Sequence, residues 1–152
     1  MGVHTNMKVI VFRLKDEKYG VDVQHVQSIE RMQHITRVPD MPDFVKGVMN
    51  LRGEVIPVID LRERFGLEAT EYNHQTRIII TAMNDIEVGL VVDDANEVID
   101  IEEASIEPPP EVIGGISTDY LQGVARLESQ LIILLNLPKV LNETEEKELQ
   151  QI

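Results

Sequence analysis

The chain alternates short apolar runs with glycines and polar turn residues. The runs, most of them rich in β-branched side chains, are VIVF, VIPVI, RIIIT, VGLVV, EVIDI and LIILLNL. Runs of this length and composition predict strands, and the segments between them are too short for helical crossovers between parallel strands. The pattern therefore predicts a mostly β fold.

Helices are predicted to be short and few. One is expected at about 23–27 and a second at about 60–66, in the sequence DLRERFG. A C-terminal helix is expected to begin near LPKVL and to run on through TEEKELQQI, with Asn142 or Thr144 as its cap. These elements leave the strands to build most of the core.

Proline sets limits on two segments. Three consecutive prolines in EPPPEV (107–112) predict a stiff loop, because proline fixes its own backbone and cannot donate a hydrogen bond. Pro57 lies inside a strand pattern, so we expect it at a sheet edge or at a bulge, where no ladder donor is required.

The chain repeats itself in two places. GVMNLRGEVIPVIDL (47–61) aligns without gaps with GVARLESQLIILLNL (123–137), and YGVDVQHVQSI (19–29) aligns more weakly with VGLVVDDANEV (88–98). Because the two similarities occur in the same order in each half, they predict an internal duplication; chance likeness between apolar strands is the alternative.

The duplication predicts a single domain over residues 1–152 that contains two similar subdomains. We expect subdomain 1 at about 7–66, with the C-terminal helix packing on it, and subdomain 2 at about 76–142. A half of this size is small to fold alone, so each should close its sheet and pack on its twin. The predicted fold class is mostly β: two small five-stranded SH3-like β-barrel subdomains packed together, with short helices and a C-terminal helix.

Composition narrows the class of protein. With 152 residues, 43% of them hydrophobic, the chain can bury a core as one domain or two small subdomains. No apolar stretch approaches the length of a membrane span, and the first apolar run is too short for a secretory signal. Cysteine is absent, which excludes disulfides, thiolate metal sites and cysteine nucleophiles. We therefore expect a cytoplasmic protein with no direct membrane insertion.

Charge is distributed unevenly along the chain. The net charge is −13, which argues against nucleic acid as a partner, because phosphate binding needs a basic surface. Residues 1–64 hold ten Lys/Arg against nine Asp/Glu, whereas residues 65–152 hold four against eighteen. Either the acidic half serves solubility alone, or the two halves present faces to different partners.

No catalytic or metal-binding motif is present. None of the four histidines has the spacing of a paired metal ligand, and no phosphate-binding loop or G-x-S-x-G elbow occurs. Asp93 and Asp94 follow a strand without the spacing or glycine of a calcium loop, which favours a solvated turn or a helix cap. We expect no enzymatic activity, no cofactor and no bound metal.

Arg52 stands beside Gly53 between two strand patterns, which suits a hairpin turn. It is either an exposed turn residue of no consequence or a fork-shaped donor that fixes a partner by a bidentate carboxylate contact. In the repeat its counterpart is Glu128, so the second half does not reproduce it. Aliphatic residues and six methionines suit a groove that receives the apolar face of a helix.

Three segments together resemble the CheW family of chemotaxis coupling proteins. They are GVMNLRGEVIPVIDLRERFG, VGLVVDDANEVIDI and STDYLQGVARLESQLIILLNLPKVL, and the likeness runs from about residue 7 to 142. The resemblance implies two five-stranded β-barrels and a non-enzymatic scaffold. It also implies two partners: the regulatory domain of the histidine kinase CheA, and the cytoplasmic tips of methyl-accepting chemoreceptors. We expect a protein that is monomeric when isolated and is recruited to membrane-bound receptor arrays.

The resemblance also implies roles for particular residues. Arg52 matches the family arginine important for coupling, and three further residues match the receptor groove between the barrels: Val26, Gly89 and Val98. The kinase surfaces are expected at the outer ends of the barrels, near Ser28–Met32 and Met49–Val55 on the first and at 106–112 on the second. The residues implied to bind the kinase are Ser28, Glu30, Met32, Met49, Glu107 and Val112.

Two other classes remain open. An adaptor for a receptor–kinase pair outside chemotaxis would share the fold and the groove, so the sequence does not separate it from a chemotaxis coupler. An enzyme or small-molecule binder built on duplicated barrels is disfavoured by the missing motifs. A receiver domain, which CheV-type proteins carry after the CheW-like part, is not expected in this chain.

Overall fold

A computed structural model describes residues 6–110, 112–113 and 116–152 of the chain. Strands dominate this part of the molecule, as the short apolar runs predict. Thirteen strands are described: β1 (Asn6–Leu14), β2 (Glu17–Asp22), β3 (Val26–Arg31), β4 (Val45–Leu51), β5 (Glu54–Asp60), β6 (Arg77–Met83), β7 (Ile86–Val92), β8 (Asp94–Glu102), β9 (Ile106–Glu107), β10 (Val112–Ile113), β11 (Ile116–Ser117), β12 (Leu121–Leu127) and β13 (Gln130–Leu135).

The strands form two main sheets. Sheet A has the order β8-β1-β2-β13-β12-β9, sheet B has the order β3-β6-β7-β5-β4, and β10 pairs with β11 as a separate short hairpin. Apart from the two-residue β9, each sheet has five strands. The predicted fold class is confirmed: a mostly β chain with two five-stranded units, short helices and a C-terminal helix.

The helix at 60–66 is confirmed as α1 (Leu61–Arg64). Asp60 caps it, because its carboxylate accepts hydrogen bonds from the backbone N–H groups of Arg62 (2.9 Å) and Glu63 (3.4 Å). The helix predicted at 23–27 is a single three-residue 3₁₀ turn, Val23–His25.

The C-terminal helix α2 (Glu143–Gln150) starts later than predicted. Asn142 caps it in a reciprocal capping box with Glu145, so the cap is Asn142 and not Thr144. The segment Leu137–Lys139 forms a separate 3₁₀ turn, with Pro138 in its first positions, and is not part of α2. The prediction of one helix that begins near LPKVL was therefore wrong.

Sheets A and B repeat one plan, which confirms the duplication. Strand for strand, β3-β6-β7-β5-β4 corresponds to β8-β1-β2-β13-β12. The registers agree as well: β5 runs parallel to β7 with Val58 opposite Gly89, and β13 runs parallel to β2 with Leu134 opposite Gly20. These pairs are the ones that the two sequence alignments make equivalent.

The two sequence halves exchange hairpins. The first half supplies β3, β4 and β5 to sheet B but gives its β1–β2 hairpin to sheet A, and the second half gives β6–β7 to sheet B in return. The hydrogen-bonded sheets therefore cross the boundary between the predicted subdomains 7–66 and 76–142. Those bounds follow the sequence repeat, and as a division into subdomains they stay a prediction.

Alternate residues of the strands fill three apolar clusters. Val9 and Val11 of β1 belong to a cluster on one face of sheet A, whereas their neighbour Phe12 belongs to the large cluster between the sheets. Val58 of β5 lies in a third cluster that only residues from sheet B and its flanking loops build. Both faces of each sheet are therefore covered over much of their area, which explains why the strand patterns are so uniformly apolar.

Pro57 lies in β5, which is an interior strand between β4 and β7, so the prediction of an edge or a bulge was wrong for the strand as a whole. Pro57 is opposite Val48 on β4, but the register with β7 begins only at Val58. On the β7 side Pro57 therefore has no ladder partner that would need its missing N–H. Pro108–Pro110 lie in a loop, as expected, and Glu111 lies outside the described residues.

Candidate functional site

Arg52 occupies the tip of the β4–β5 hairpin. The backbone φ is +54° at Arg52 and +85° at Gly53, and two successive left-handed residues are typical of a type I′ turn. The side-chain oxygen of Asn50 accepts a hydrogen bond from the backbone N–H of Gly53 (3.1 Å) and holds the turn. Arg52 is exposed, and no carboxylate of the described chain pairs with it, Glu30 included. The hairpin prediction is confirmed.

Two more of the predicted receptor-binding residues lie on equivalent strands at the ends of the two sheets. Val26 starts β3 opposite Thr81 and is half-buried. Val98 lies in β8 opposite Ile10, and its side chain is 60% exposed. In the repeat Val98 corresponds to Ile29, which is 38% exposed. Both end strands thus present an aliphatic side chain to solvent at the same position.

Gly89, the fourth predicted receptor-binding residue, is buried in the middle of sheet B. A Cβ atom built on it would lie 2.8 Å from Cγ2 of Ile78 and 3.4 Å from Cδ1 of Ile80. The sheet therefore needs a residue without a side chain here, as it does at the equivalent Gly20 of sheet A, where a Cβ would lie 2.4 Å from Val9. A substitution at Gly89 acts first on packing.

The predicted kinase-binding residues of the first half belong to sheet B. Ser28 and Glu30 are alternate, half-buried residues of β3. Met32 follows the strand and packs on the cluster that contains Met49. Met49 itself is 2% exposed, so its side chain supports the surface from below and does not form it. The exposed aliphatic residue on this hairpin is Val55, the last residue of the segment Met49–Val55 in which the kinase surface is expected.

Of the two predicted kinase-binding residues of the second half, Glu107 lies at the far end of sheet A and Val112 lies in the separate β10–β11 hairpin. Glu107 is in β9 and pairs with Arg126 of β12, with 2.8 Å between Oε2 and Nε; both side chains are exposed. Val112 is in β10, opposite Ser117, and its side chain lies outside the described part of the chain. The six predicted kinase-binding residues are therefore spread over sheet B, the end of sheet A and the β10–β11 hairpin.

An ion pair that the sequence reasoning missed joins the two sheets. Asp93 lies between β7 of sheet B and β8 of sheet A, and both of its oxygens accept hydrogen bonds from Nε of Arg62 (2.8 and 3.0 Å). Asp93 also accepts from the backbone N–H of Lys15 in the β1–β2 turn (2.8 Å), and its own N–H donates to the carbonyl of Arg13 (3.0 Å). The expectation of a solvated turn at Asp93 was wrong.

The surroundings of this pair favour its charged form. The hydrogen bond to Asp93 raises the pKa of Arg62, and burial acts in the opposite direction. The nearby Asp60 is buried and accepts a hydrogen bond from the hydroxyl of Tyr72 (2.7 Å). Burial, followed by this bond, raises the pKa of Tyr72. Tyr72 lies in the segment that connects the two repeats, so its bond to Asp60 holds that segment against the end of β5.

Arg64 fastens the C-terminal helix to α1. Its Nε donates to the carbonyl of Val140 (2.7 Å), and its Nη2 lies 2.8 Å from Oε1 of Glu145. The guanidinium also lies over the rings of Phe44 and Tyr120, 4.7 and 5.1 Å from their centroids. The C-terminal helix is thus tied to the first repeat, although it follows the last strand of the second.

No group of three histidine or acidic side chains in the described part of the chain is arranged to hold a metal ion. No helix of the described chain has the length and apolar character needed to cross a bilayer. The described surface presents the exposed Arg52 turn and a small set of exposed aliphatic residues.

Known proteins share this architecture. A chemotaxis protein CheW from Bacillus subtilis is 41% identical over 141 residues, which cover 93% of this chain and 90% of that protein. Another chemotaxis protein CheW, from Klebsiella aerogenes, is 35% identical over 144 residues, with 95% and 87% covered. The crystal structure of the scaffolding protein TtCheW from Thermoanaerobacter tengcongensis is similar with a TM-score of 0.86 and 39% identity, covering 93% of this chain and 96% of that one.

The two duplicated sheets with exchanged hairpins are the fold of this chain, and the relatives that match it over nearly its whole length are chemotaxis proteins CheW. Residues 8–145 match the CheW-like domain, and the chain belongs to that family.

Proposed function

We propose that this chain is a non-enzymatic scaffold that couples methyl-accepting chemoreceptors to the histidine kinase CheA. The likeness to a solved scaffolding protein over 93% of the chain supports this function most directly, because it extends to both sheets and is not limited to one motif. In this function the protein acts in the cytoplasm, is monomeric when isolated, needs no cofactor and joins membrane-bound receptor arrays through its partners.

The receptor side is assigned to Arg52 together with Val26 and Val98. A receptor tip is a helical hairpin. The exposed Val98 and Ile29 on the two equivalent end strands, with the half-buried Val26, can bury the apolar face of a helix. Arg52 is unpaired within the described chain, so its planar fork is free to fix the orientation of a partner through a carboxylate. Gly89 contributes by letting the strands of sheet B approach closely.

The kinase side is assigned to the ends of both sheets and to the β10–β11 hairpin. In the first half it comprises Ser28, Glu30 and Met32, supported from below by Met49. In the second half it comprises Glu107 of sheet A and Val112 of the β10–β11 hairpin. Val55 extends the sheet B surface, since it is 60% exposed on the same hairpin. Such small contacts are individually weak, so stable assembly depends on many of them acting together in an array.

The proposal is tested by calorimetric titration of this protein into the isolated regulatory domain of CheA from the same organism. Saturable one-to-one binding is expected. Val55→Asp should weaken it by about tenfold or more, because a charge would enter an apolar contact. The matched control is Arg52→Ala, which should leave binding of the kinase domain unchanged.

The same titration separates the proposal from the adaptor outside chemotaxis. A folded protein that gives no heat with the kinase domain at either low or high salt would contradict the coupling function. That outcome would favour an adaptor for another receptor–kinase pair, because the fold and the groove would be shared.

A further inference from the structure

A cavity of about 400 Å³ lies in sheet B between the β4–β5 hairpin, the β6–β7 turn and the end of α2. Its apolar lining comes from two exposed residues, Val55 and Ile152, and from three buried residues, Pro57, Ile86 and Leu149. It occupies the side of β5 where the ladder to β7 has not yet begun. Because Pro57 has no partner on β7, this side of β5 leaves space for one or two side chains.

The described residues that line this cavity include three acids and no base. The acids are Glu54 and Asp85, which are exposed, and Glu87, which is half-buried. No lysine or arginine of the described chain forms an ion pair with any of them. Glu87 has only a long hydrogen bond from Gln27, at 3.5 Å. Like charges around an apolar floor favour an opposite charge supplied from outside.

Sheet A provides an internal comparison. In the internal repeat, Lys18 of sheet A is equivalent to Glu87 of sheet B, and Gln130 of sheet A is equivalent to Glu54 of sheet B. In sheet A these two side chains meet: Nζ of Lys18 lies 2.7 Å from Oε1 of Gln130. In sheet A the lysine at this position is therefore hydrogen-bonded within the chain. In sheet B the two equivalent positions carry carboxylates, and no cation pairs with them in the described chain.

We propose that this cavity receives a segment of the kinase regulatory domain in which a lysine or arginine adjoins an aliphatic side chain. The aliphatic side chain occupies the floor of Pro57, Ile86 and Leu149, and the basic group takes the place that Lys18 fills in sheet A. This inference rests on the proposed function. The link to the kinase is Val55, which lines the cavity and also extends the surface assigned above to that partner.

The test copies the closed arrangement of sheet A into sheet B. The variant Glu54→Gln/Glu87→Lys should weaken binding of the kinase regulatory domain by roughly three- to tenfold. It should also flatten the salt dependence of the affinity, because screened contacts between opposite charges are lost. Glu87→Gln alone should give a smaller change in the same direction, and it keeps the test valid if the double variant folds poorly.

The matched control makes the reverse exchange in sheet A, Lys18→Glu/Gln130→Glu, and should leave the affinity unchanged. If the wild-type protein binds the kinase domain and the sheet B variants, folded by circular dichroism, bind equally well, the inference is wrong while the proposed function stands. If the wild-type protein does not bind at all, the proposed function and the inference fall together. An equal loss in the sheet A control would also overturn the inference, since the effect would then not belong to this cavity.

Discussion

Arg62 and Asp93 are 31 residues apart in the sequence, yet they form a two-pronged ion pair at the place where the chain passes from sheet B to sheet A. Each side chain is only 15% exposed. Because Asp93 also holds the β1–β2 turn through the backbone of Lys15, one carboxylate ties together three separate parts of the fold. The pair fixes how the two sheets meet.

Loss of this pair should reduce stability. Arg62→Ala leaves a half-buried carboxylate without its charged partner, so we expect the free energy of unfolding to fall by about 2–3 kcal/mol. For a chain of this size that is a decrease in Tm of roughly 5–10 °C, measurable by calorimetry. The matched control is Arg126→Ala, which removes the exposed pair with Glu107 and should leave Tm nearly unchanged. Similar shifts in both variants would contradict the role given to Asp93.

Arg52→Asp should separate signalling from folding. The side chain is exposed and makes no ion pair within the described chain, so Tm should change by no more than about 2 °C. In reconstituted receptor arrays the variant should lower receptor-dependent control of kinase activity, measured as phosphate release with and without attractant. The control is Glu128→Arg at the equivalent turn of sheet A. If receptors still control kinase activity fully in the Arg52→Asp variant, Arg52 does not contact the receptor.

Gly89→Ala should weaken signalling through packing alone. The new Cβ would meet Ile78 at 2.8 Å, and overpacking of this kind costs about 1–3 kcal/mol. Gly53→Ala is the comparison, because its position is open and the cost comes only from the left-handed backbone, about 1 kcal/mol. We expect array activity of Gly89→Ala to recover on cooling as the fold recovers. A defect that persists in fully folded protein would instead indicate direct receptor contact at Gly89.

Alkaline pH should destabilise the fold through Tyr19. Burial raises the pKa of Tyr19 to about 12, with a smaller contribution from Glu17. The folded state therefore binds the phenolic proton more tightly than the unfolded state, whose tyrosine has a pKa of about 10. The resulting stability, about 3 kcal/mol, is fully present below pH 10 and is lost as the pH rises towards 12.

Denaturant titrations at pH 9, 10, 11 and 12 check this prediction. Tyr19→Phe keeps the ring that stacks on Phe12 and removes the titrating group. Its stability should fall less steeply over the same interval. Parallel curves for the two proteins would mean that other groups control alkaline unfolding.

Sequence patterns predicted the strands, the duplication and the Arg52 turn, because each depends on residues near one another in the chain. Exchange of the hairpins between sheets escaped prediction, since β1–β2 would show the same apolar alternation in either sheet. Asp93 was misassigned for a related reason: an acid after a strand favours a turn locally, and only the folded chain brings Arg62 beside it. Residue roles within the partner surfaces rested on the family resemblance, and burial of Met49 and Gly89 was visible only in three dimensions.

The exchanged hairpins also bear on synthesis. The first strands to leave the ribosome, β1 and β2, find their sheet partners in β8 and β13, and β13 is made more than a hundred residues after β2. Sheet B, by contrast, has all of its strands once residue 92 is made. The β1–β2 hairpin therefore lacks both of its outer strand partners when sheet B is complete, and the β2 edge stays unpaired until β13 is made. Such long-range closure slows folding and leaves the edges of the β1–β2 hairpin open to chaperones while translation continues.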